Sequence, residues 1–488
     1  MLTMQQAAQA ISAAISTQAA GISAEFTAVN TDSRAIAPGD LFVALRGERF
    51  DGHEFVAKAI AQGAVGAIVD QAAAEQYTEA WQALPLLIVP DTRIALGQLA
   101  AWWLKRHPLK LAAITGSNGK TTVKEMLASI LRQAVGSDAV LSTQGNFNND
   151  IGMPLTLLKL RQQHRYAVIE MGMNHPGEID YLSRIAQPDV AVINNAGAAH
   201  LAGLGSVEAV ARAKGEIFAG LKPEGVAIIN ADDAHAALWK TLAGQHQQLV
   251  FGLEAAADVS ARYQTKSDHS LLEMTTPEGA MTVKLPAPGR HNIHNALAAC
   301  AAAKALGIAN ADIAAGLIHF EGVKGRLQRK RCLHGATLID DTYNANPASV
   351  NAAIAVLAAH GGQHGKKILV LGDMGELGEH SAELHRQIGQ NARQAGIDML
   401  LALGDASREC ATGFGNNARF YERIQELLAD LENHLTPDTT VLVKGSRFMQ
   451  MERVVKSFEV TLSPNSLPEG ERDAGSLREN LFGQEGEK

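Results

Sequence analysis

Apolar residues recur at helical spacing from the first turn of the chain, at Met4, Ala8, Ile11 and Ile15, which predicts an amphipathic first helix. Short apolar runs follow at 41–45, 65–69 and 86–89, with a helix expected from about 53 to 62. Together they read as a small α/β unit over residues 1–107, closing near His107 and Pro108. Beyond it, apolar runs at 111–115, 139–142, 167–170, 190–194 and 226–230 alternate with helix-like stretches. Such alternation predicts a parallel sheet covered by helices on both faces. Residues 258–285 alternate more tightly, as an antiparallel flap would, and an Ala-rich helix is expected over 293–306. The pattern restarts near Gly322, with strands predicted at 337–339, 367–371, 399–403 and 440–443. This third α/β domain is Rossmann-like in pattern but lacks a G-x-G-x-x-G turn, so no dinucleotide is expected. The reading is therefore α/β with three domains: 1–107, a central parallel-sheet domain over 108–322, and a C-terminal domain over 323–462. Residues 463–488 are polar with few apolar anchors and are expected to be a disordered tail.

Length and composition agree with this division. A chain of 488 residues suits about three domains. A net charge of −8 with scattered basic residues argues against a nucleic-acid or membrane-surface binder. The three cysteines, Cys300, Cys332 and Cys410, are too few and too far apart for a disulfide framework or a thiolate metal site. No basic residue precedes Arg34, and no run of about 20 apolar residues occurs. A cytoplasmic protein without membrane insertion is expected, and a monomer.

The most informative chemistry follows the run at 111–115. Gly116, Ser117, Asn118, Gly119, Lys120, Thr121 and Thr122 form a Gly-rich turn between a strand and a helix. Backbone N–H groups at that helix start, together with the helix dipole, favour phosphate. Lys120 would reach the β/γ-phosphates and the Thr121 hydroxyl could bind Mg²⁺. The loop is shorter than the full G-x-x-x-x-G-K-[ST] pattern, because Ile114 stands where its first Gly would be. An ordinary strand-to-helix connection is the competing reading.

Other residues carry weaker signals. Glu170 ends an apolar run where a parallel sheet often holds Mg²⁺, or it faces solvent. His200 follows the run at 190–194; a lone His is more often structural than a ligand. Ser206 reads as the N-cap of a helix over 206–221. On pattern alone, Lys214 in that helix is an exposed lysine. The polar turn from Asp340 to Pro347 could bind a ribose or an amine, or could cap a helix.

These residues occur in the order seen in the Mur ligase superfamily, ATP-dependent amide ligases that include the folylpolyglutamate synthetases. The phosphate loop, Glu170, His200, Lys214, the His291 to Asn295 stretch, Arg326 and Asp341 to Pro347 carry the resemblance over about residues 20–460. Further stretches resemble the branch that joins D-alanyl-D-alanine to a UDP-N-acetylmuramoyl-tripeptide. They are Thr31 to Arg34, Leu41 to Gly47, Gly145 to Gly152, Gly372 to Gly378 and Val443 to Arg447. The resemblance implies phosphorylation of the tripeptide carboxylate by ATP and attack by the dipeptide amine on the acyl phosphate. It implies Thr121 and Glu170 on one Mg²⁺, and His200 with a carbamylated Lys214 on a second. Lys120, His200 and Lys214 would be catalytic. Asn295, Arg326 and Asp341 would bind the nucleotide, the last two reaching across from the third domain. Ser33, Arg34 and Arg46 would hold the uridine diphosphate, and Asn344, Asn346, Lys444 and Ser446 would lie near the dipeptide. Two alternatives stay open: a sister ligase with another amine substrate, and a P-loop switch. The second is weakened because no Asn-Lys-x-Asp guanine-reading motif appears.

Overall fold

The computed structural model describes residues 1–16, 23–198, 201–266, 268–360 and 365–460. His200 and the predicted tail at 463–488 lie outside the described residues. The chain divides into two compact units, one over Met1–Val323 and another that begins at Lys324.

In the first unit the opening helix runs over Met4–Ile11 and buries Met4, Ala7, Ala8 and Ile11. It does not reach Ile15. Ser12 turns left-handed, with φ 51°, and Ala14–Ile15 pairs antiparallel with Leu86–Val89. Helical spacing persists at Ile15, but a sheet edge offers partners for the backbone there, and it wins. The first sheet has the order Ala14–Ile15, Leu86–Val89, Gly66–Asp70, Asp40–Val43, Ala28–Asn30, and all but its first pairing are parallel.

Six parallel strands form the central sheet, in the order Gln247–Phe251, Val226–Asn230, Val190–Ile193, Lys110–Thr115, Tyr166–Glu170, Val140–Ser142. The Lys110–Thr115 strand is buried on both faces. Ala112 and Ile114 pack with the helices Lys120–Val135 and Arg290–Ala305. Leu111 and Ala113 face the other way, into a core with Leu96 and Leu99 of the helix Thr92–Leu104 and with Leu41 and Leu87 of the first sheet. Each large apolar side chain so buried contributes roughly 1.5–3 kcal/mol. The alternating stretch is a three-stranded antiparallel sheet, Ser260–Thr265, Ser270–Thr276 and Gly279–Leu285, as its pattern predicts. Ser270–Thr276 alternates strictly between buried and exposed positions.

Register decides what gathers at the working edge of the central sheet. Ile114 pairs with Glu170, and Thr115 pairs with Ile193. Gly116, Glu170 and Asn194 therefore leave the sheet side by side, at the carboxyl ends where open parallel sheets bind ligands.

The second unit holds six strands in the order Gln328–Arg331, Thr337–Asp341, Thr439–Lys444, Lys366–Gly372, Met399–Leu403, Ala418–Tyr421. Only the first pairing is antiparallel. Asp341 and Lys444 are register partners at the carboxyl end of adjacent strands.

Candidate active site

Gly116 to Gly119 join the strand Lys110–Thr115 to the helix Lys120–Val135. Gly119 has φ +78°, and a Cβ there would lie 2.3 Å from Asn295 Oδ1 and 2.6 Å from Asn194 Nδ2. Backbone conformation and space both require glycine. The amide groups at the start of this helix have no partners within it, and its dipole is positive at that end. Lys120 Nζ donates to the Gly116 carbonyl at 2.7 Å, so the lysine curls back over the loop.

Glu170 is 3% exposed, which removes the solvent-facing reading. Its Oε2 accepts the Thr121 hydroxyl at 2.9 Å and its Oε1 accepts Asn148 Nδ2 at 2.8 Å. Its own N–H donates to Thr143 Oγ1 at 3.0 Å, and Lys124 Nζ donates to the Thr143 carbonyl at 2.5 Å. A buried carboxylate beside a hydroxyl is a hard oxygen donor set, suited to Mg²⁺. Among the described residues, no group of three or more His, Cys, Asp and Glu could hold a metal.

Lys214 corrects the reading from pattern alone. It is 1% exposed. Ser206 caps its helix, Val207–Gly215, by accepting the Ala209 N–H at 3.1 Å. The chain then tightens into a 3₁₀ turn, Glu216–Gly220. The Glu216 carboxylate accepts the Gly177 N–H at 2.9 and 3.0 Å, and the Asp180 N–H at 3.3 Å. That ties the lysine segment to the helix Glu178–Ala186, which follows the Glu170 strand. Burial first, and the Lys120 charge second, pull the Lys214 ammonium pKa well below its ordinary value.

Lys120, Thr121, Glu170 and Asn295 thus gather at one sheet edge, with Lys214 close enough to feel Lys120. Sequence reasoning missed Asn194, Asn195 and Thr143 here. Asn194 and Asn195 directly follow the apolar strand Val190–Ile193, and that placement was the available signal.

The loops carrying Ser33, Arg34 and Arg46 leave the carboxyl edge of the first sheet. Arg34 pairs with Asp32 at 2.8 Å, and its side chain is 84% exposed. Arg46 is held by Asp70, Nε to Oδ2 at 2.8 Å, and by Asp51. The ring of His53 is fully buried between those two carboxylates, with Nδ1 2.6 Å from Asp51 Oδ1. Burial opposes ionisation of Asp51 and Asp70, yet hydrogen bonds and the Arg46 charge hold both below the ordinary carboxylate range.

In the second unit, Lys444 Nζ lies 2.6 Å from Asp341 Oδ2 and donates to the Asn344 carbonyl at 2.8 Å. Burial pushes the Asp341 carboxyl up despite Lys444. The Arg326 guanidinium lies 4.4 Å above the Tyr343 ring. Asn346 accepts the Ser349 N–H at 2.9 Å and caps the helix Pro347–Ala359, so the capping reading of this turn applies to it. Ser446 Oγ donates to the Ala345 carbonyl at 3.2 Å and accepts the Gly375 N–H at 2.8 Å.

Comparison with known proteins extends the geometry. Three family descriptions match in order: "Mur ligase family, catalytic domain" over residues 25–103, "Mur ligase middle domain" over 114–303, and "Mur ligase, glutamate ligase domain" over 325–447. The UDP-N-acetylmuramoyl-tripeptide–D-alanyl-D-alanine ligase of Escherichia coli (strain K12) is 44% identical over 440 residues, 88% of this chain and 93% of the relative. The Bacillus subtilis (strain 168) ligase of the same name is 36% identical, again over 88% of this chain and 92% of its own. A crystal structure of MurF from Acinetobacter baumannii superposes with TM-score 0.86 at 41% identity, covering 93% of this chain and 98% of that one. MurF from Thermotoga maritima, solved in complex with ADP, superposes with TM-score 0.77 at 29% identity, covering 88% and 96%. On matched domains, relatives and phosphate-loop geometry alike, the chain belongs to the Mur ligase family.

Proposed function

We propose that this protein is an ATP-dependent ligase that joins D-alanyl-D-alanine to UDP-N-acetylmuramoyl-tripeptide in the synthesis of peptidoglycan precursors. The carrying observation is the phosphate loop at Gly116 to Thr122, set beside a buried Glu170 and a buried, charge-averse Lys214. The relatives' names supply the substrates. ATP phosphorylates the terminal tripeptide carboxylate. The dipeptide amine then attacks the acyl carbon, the C–N bond forms, and phosphate leaves with the electrons of the broken C–O bond.

Lys120 places a fixed positive charge where phosphoryl oxygens gain charge. Thr121 and Glu170 are the residues that would hold Mg²⁺; their oxygens, already 2.9 Å apart, fit a hard cation. Bound there, Mg²⁺ supplies charge neutralisation for the phosphate oxygens. Lys214 is suited to carbamylation: burial and the Lys120 charge disfavour its ammonium form, and the amine form takes up CO₂ and releases a proton. The carbamate would carry two oxygens toward a second Mg²⁺, with His200. Asn295, Arg326 and Asp341 are assigned to the nucleotide. Ser33, Arg34 and Arg46 are assigned to the uridine diphosphate, and Asn344, Asn346, Lys444 and Ser446 to the dipeptide end. No helix among the described residues is long and apolar enough to cross a membrane; a cytoplasmic monomer is the proposed state.

The test is phosphate release with ATP, Mg²⁺, the UDP-linked tripeptide and D-alanyl-D-alanine, each omitted in turn. Release should require all four. Rapid ATP hydrolysis without either peptide would contradict the assignment, and stimulation by a different amine would move it to a sister ligase.

A further inference from the structure

Asn194 and Asn195 stand where the strand Val190–Ile193 ends, beside the strand that leads into the phosphate loop. Asn195 Oδ1 accepts the Asn118 N–H at 2.8 Å, and its Nδ2 donates to the Asn118 carbonyl at 3.1 Å. One side-chain amide thus pairs with the backbone of a loop residue, as an adjacent strand would. The Ser117 N–H donates to the Asn195 carbonyl at 3.0 Å, and Ser117 Oγ accepts the Gly197 N–H at 3.0 Å. Asn194 Nδ2 donates twice, to the Asn118 carbonyl at 2.9 Å and to Asn295 Oδ1 at 2.9 Å. Asn230 Nδ2, from the next strand, donates to the Asn194 carbonyl at 2.9 Å and steadies the whole segment.

Asn194 is 1% exposed, and its Oδ1 is buried with no hydrogen-bond partner among the described residues. Turning the amide over would set that oxygen against the Asn118 and Asn295 oxygens, so its orientation is dictated by its neighbours. An amide with a buried, unpaired carbonyl is a poor packing residue. What it contributes is the Nδ2 bridge. That bridge closes around Gly119, whose missing Cβ leaves room for both Asn194 Nδ2 and Asn295 Oδ1.

We propose that Asn194 is a positioning residue that couples the nucleotide contact at Asn295 to the phosphate loop at Asn118 and Gly119. Asn195 is the clamp that holds the loop backbone in place. This rests on the assignment of Asn295 to the nucleotide. A nucleotide contact that orients the Asn295 amide also fixes the acceptor for Asn194, so the loop amides are arranged for phosphate by the same event.

The experiment is a double-mutant cycle. Calorimetry measures binding of a non-hydrolysable ATP analogue with Mg²⁺ to the full-length wild type, Asn194→Ala, Asn295→Ala and the double variant. Each single change should weaken binding about tenfold, the scale of lost buried hydrogen bonds, and the double variant should be little worse than either single one. KM for the UDP-linked tripeptide should stay within about twofold of wild type, a split that general destabilisation would not produce. Multiplying losses in the double variant, or wild-type binding by Asn194→Ala, would overturn the coupling alone. Wild-type binding by Asn295→Ala would overturn the nucleotide assignment and the coupling with it. Should Asn194→Ala not fold, Asn194→Ser, which keeps a polar group too short to bridge, carries the same cycle.

Discussion

A lysine sealed from solvent near a second ammonium is easier to keep neutral than an exposed one, and Lys214 is placed so. Its proposed role and its effect on stability then have opposite signs. With the folded pKa lowered, the unfolded chain binds more protons between the two pKa values, so stability rises with pH there and falls as pH drops. Lys214→Met should remove that penalty and melt at or above the wild-type temperature at pH 7. It should also lose turnover by about 10²-fold or more, the scale of one lost electrostatic group. Acetate should restore part of the rate in the smaller Lys214→Ala, by returning two oxygens to the space. Wild-type turnover in either variant would reject the assignment. Lys120→Ala should likewise lower kcat by about 10²-fold while changing stability by no more than about 0.5 kcal/mol, because a lysine at the phosphate loop is not part of the apolar core. Turnover and thermal melts read both.

Caps and turns carry the predictions at the scale of elements. Asn346 begins the helix Pro347–Ala359 with a capping box, its amide accepting the Ser349 N–H while Ser349 Oγ accepts the Asn346 N–H. Asn346→Ala should cost about 1 kcal/mol, measured by urea unfolding. Asp232 follows the strand Val226–Asn230. Burial would raise its pKa, but N–H groups from Leu253, Ala255 and Glu254, with the His294 ring, lower it to about 2. A carboxylate lowered from 3.8 stabilises the fold above that pH, and the gain is lost as pH falls through about 2. Asp232→Asn should therefore cost about 1–2 kcal/mol at pH 7, and the difference should close between about pH 4 and pH 2. A constant difference across that window would mean that packing, not charge, is what was lost. Periodicity announced the buried strands well, because apolar runs of that length have few alternatives. It missed the strands Ala28–Asn30, Gln247–Phe251, Gln328–Arg331 and Ala418–Tyr421, which lie at the edges of their sheets and are less fully buried.

At the scale of the molecule, the first sheet and the central sheet of the Met1–Val323 unit share one core through the helix Thr92–Leu104. Loops that hold one substrate remote from the chemistry act through ground-state binding. Arg46→Ala should then raise KM for the UDP-linked tripeptide at least several-fold more than KM for ATP, with a small change in kcat. Equal effects on both KM values would place Arg46 elsewhere.

Local chemistry was legible in the chain before folding. The turn from Gly116 to Thr122 predicts a phosphate site, because glycine, lysine and threonine in that order would act through backbone amides, one charge and one hydroxyl. The alternation of apolar runs and helices names the sheets because burial on two faces leaves no other pattern. Folding decided the neighbours. Lys214 and an exposed lysine look alike in a helical pattern, and only packing from several elements withdraws this one from water. Glu170, Gly116 and Asn194 lie far apart in the chain. They meet because strand order and register bring three separate strand ends to one edge. Register is a property of paired strands, set by which side chains pack together across them, so no single stretch of sequence contains it.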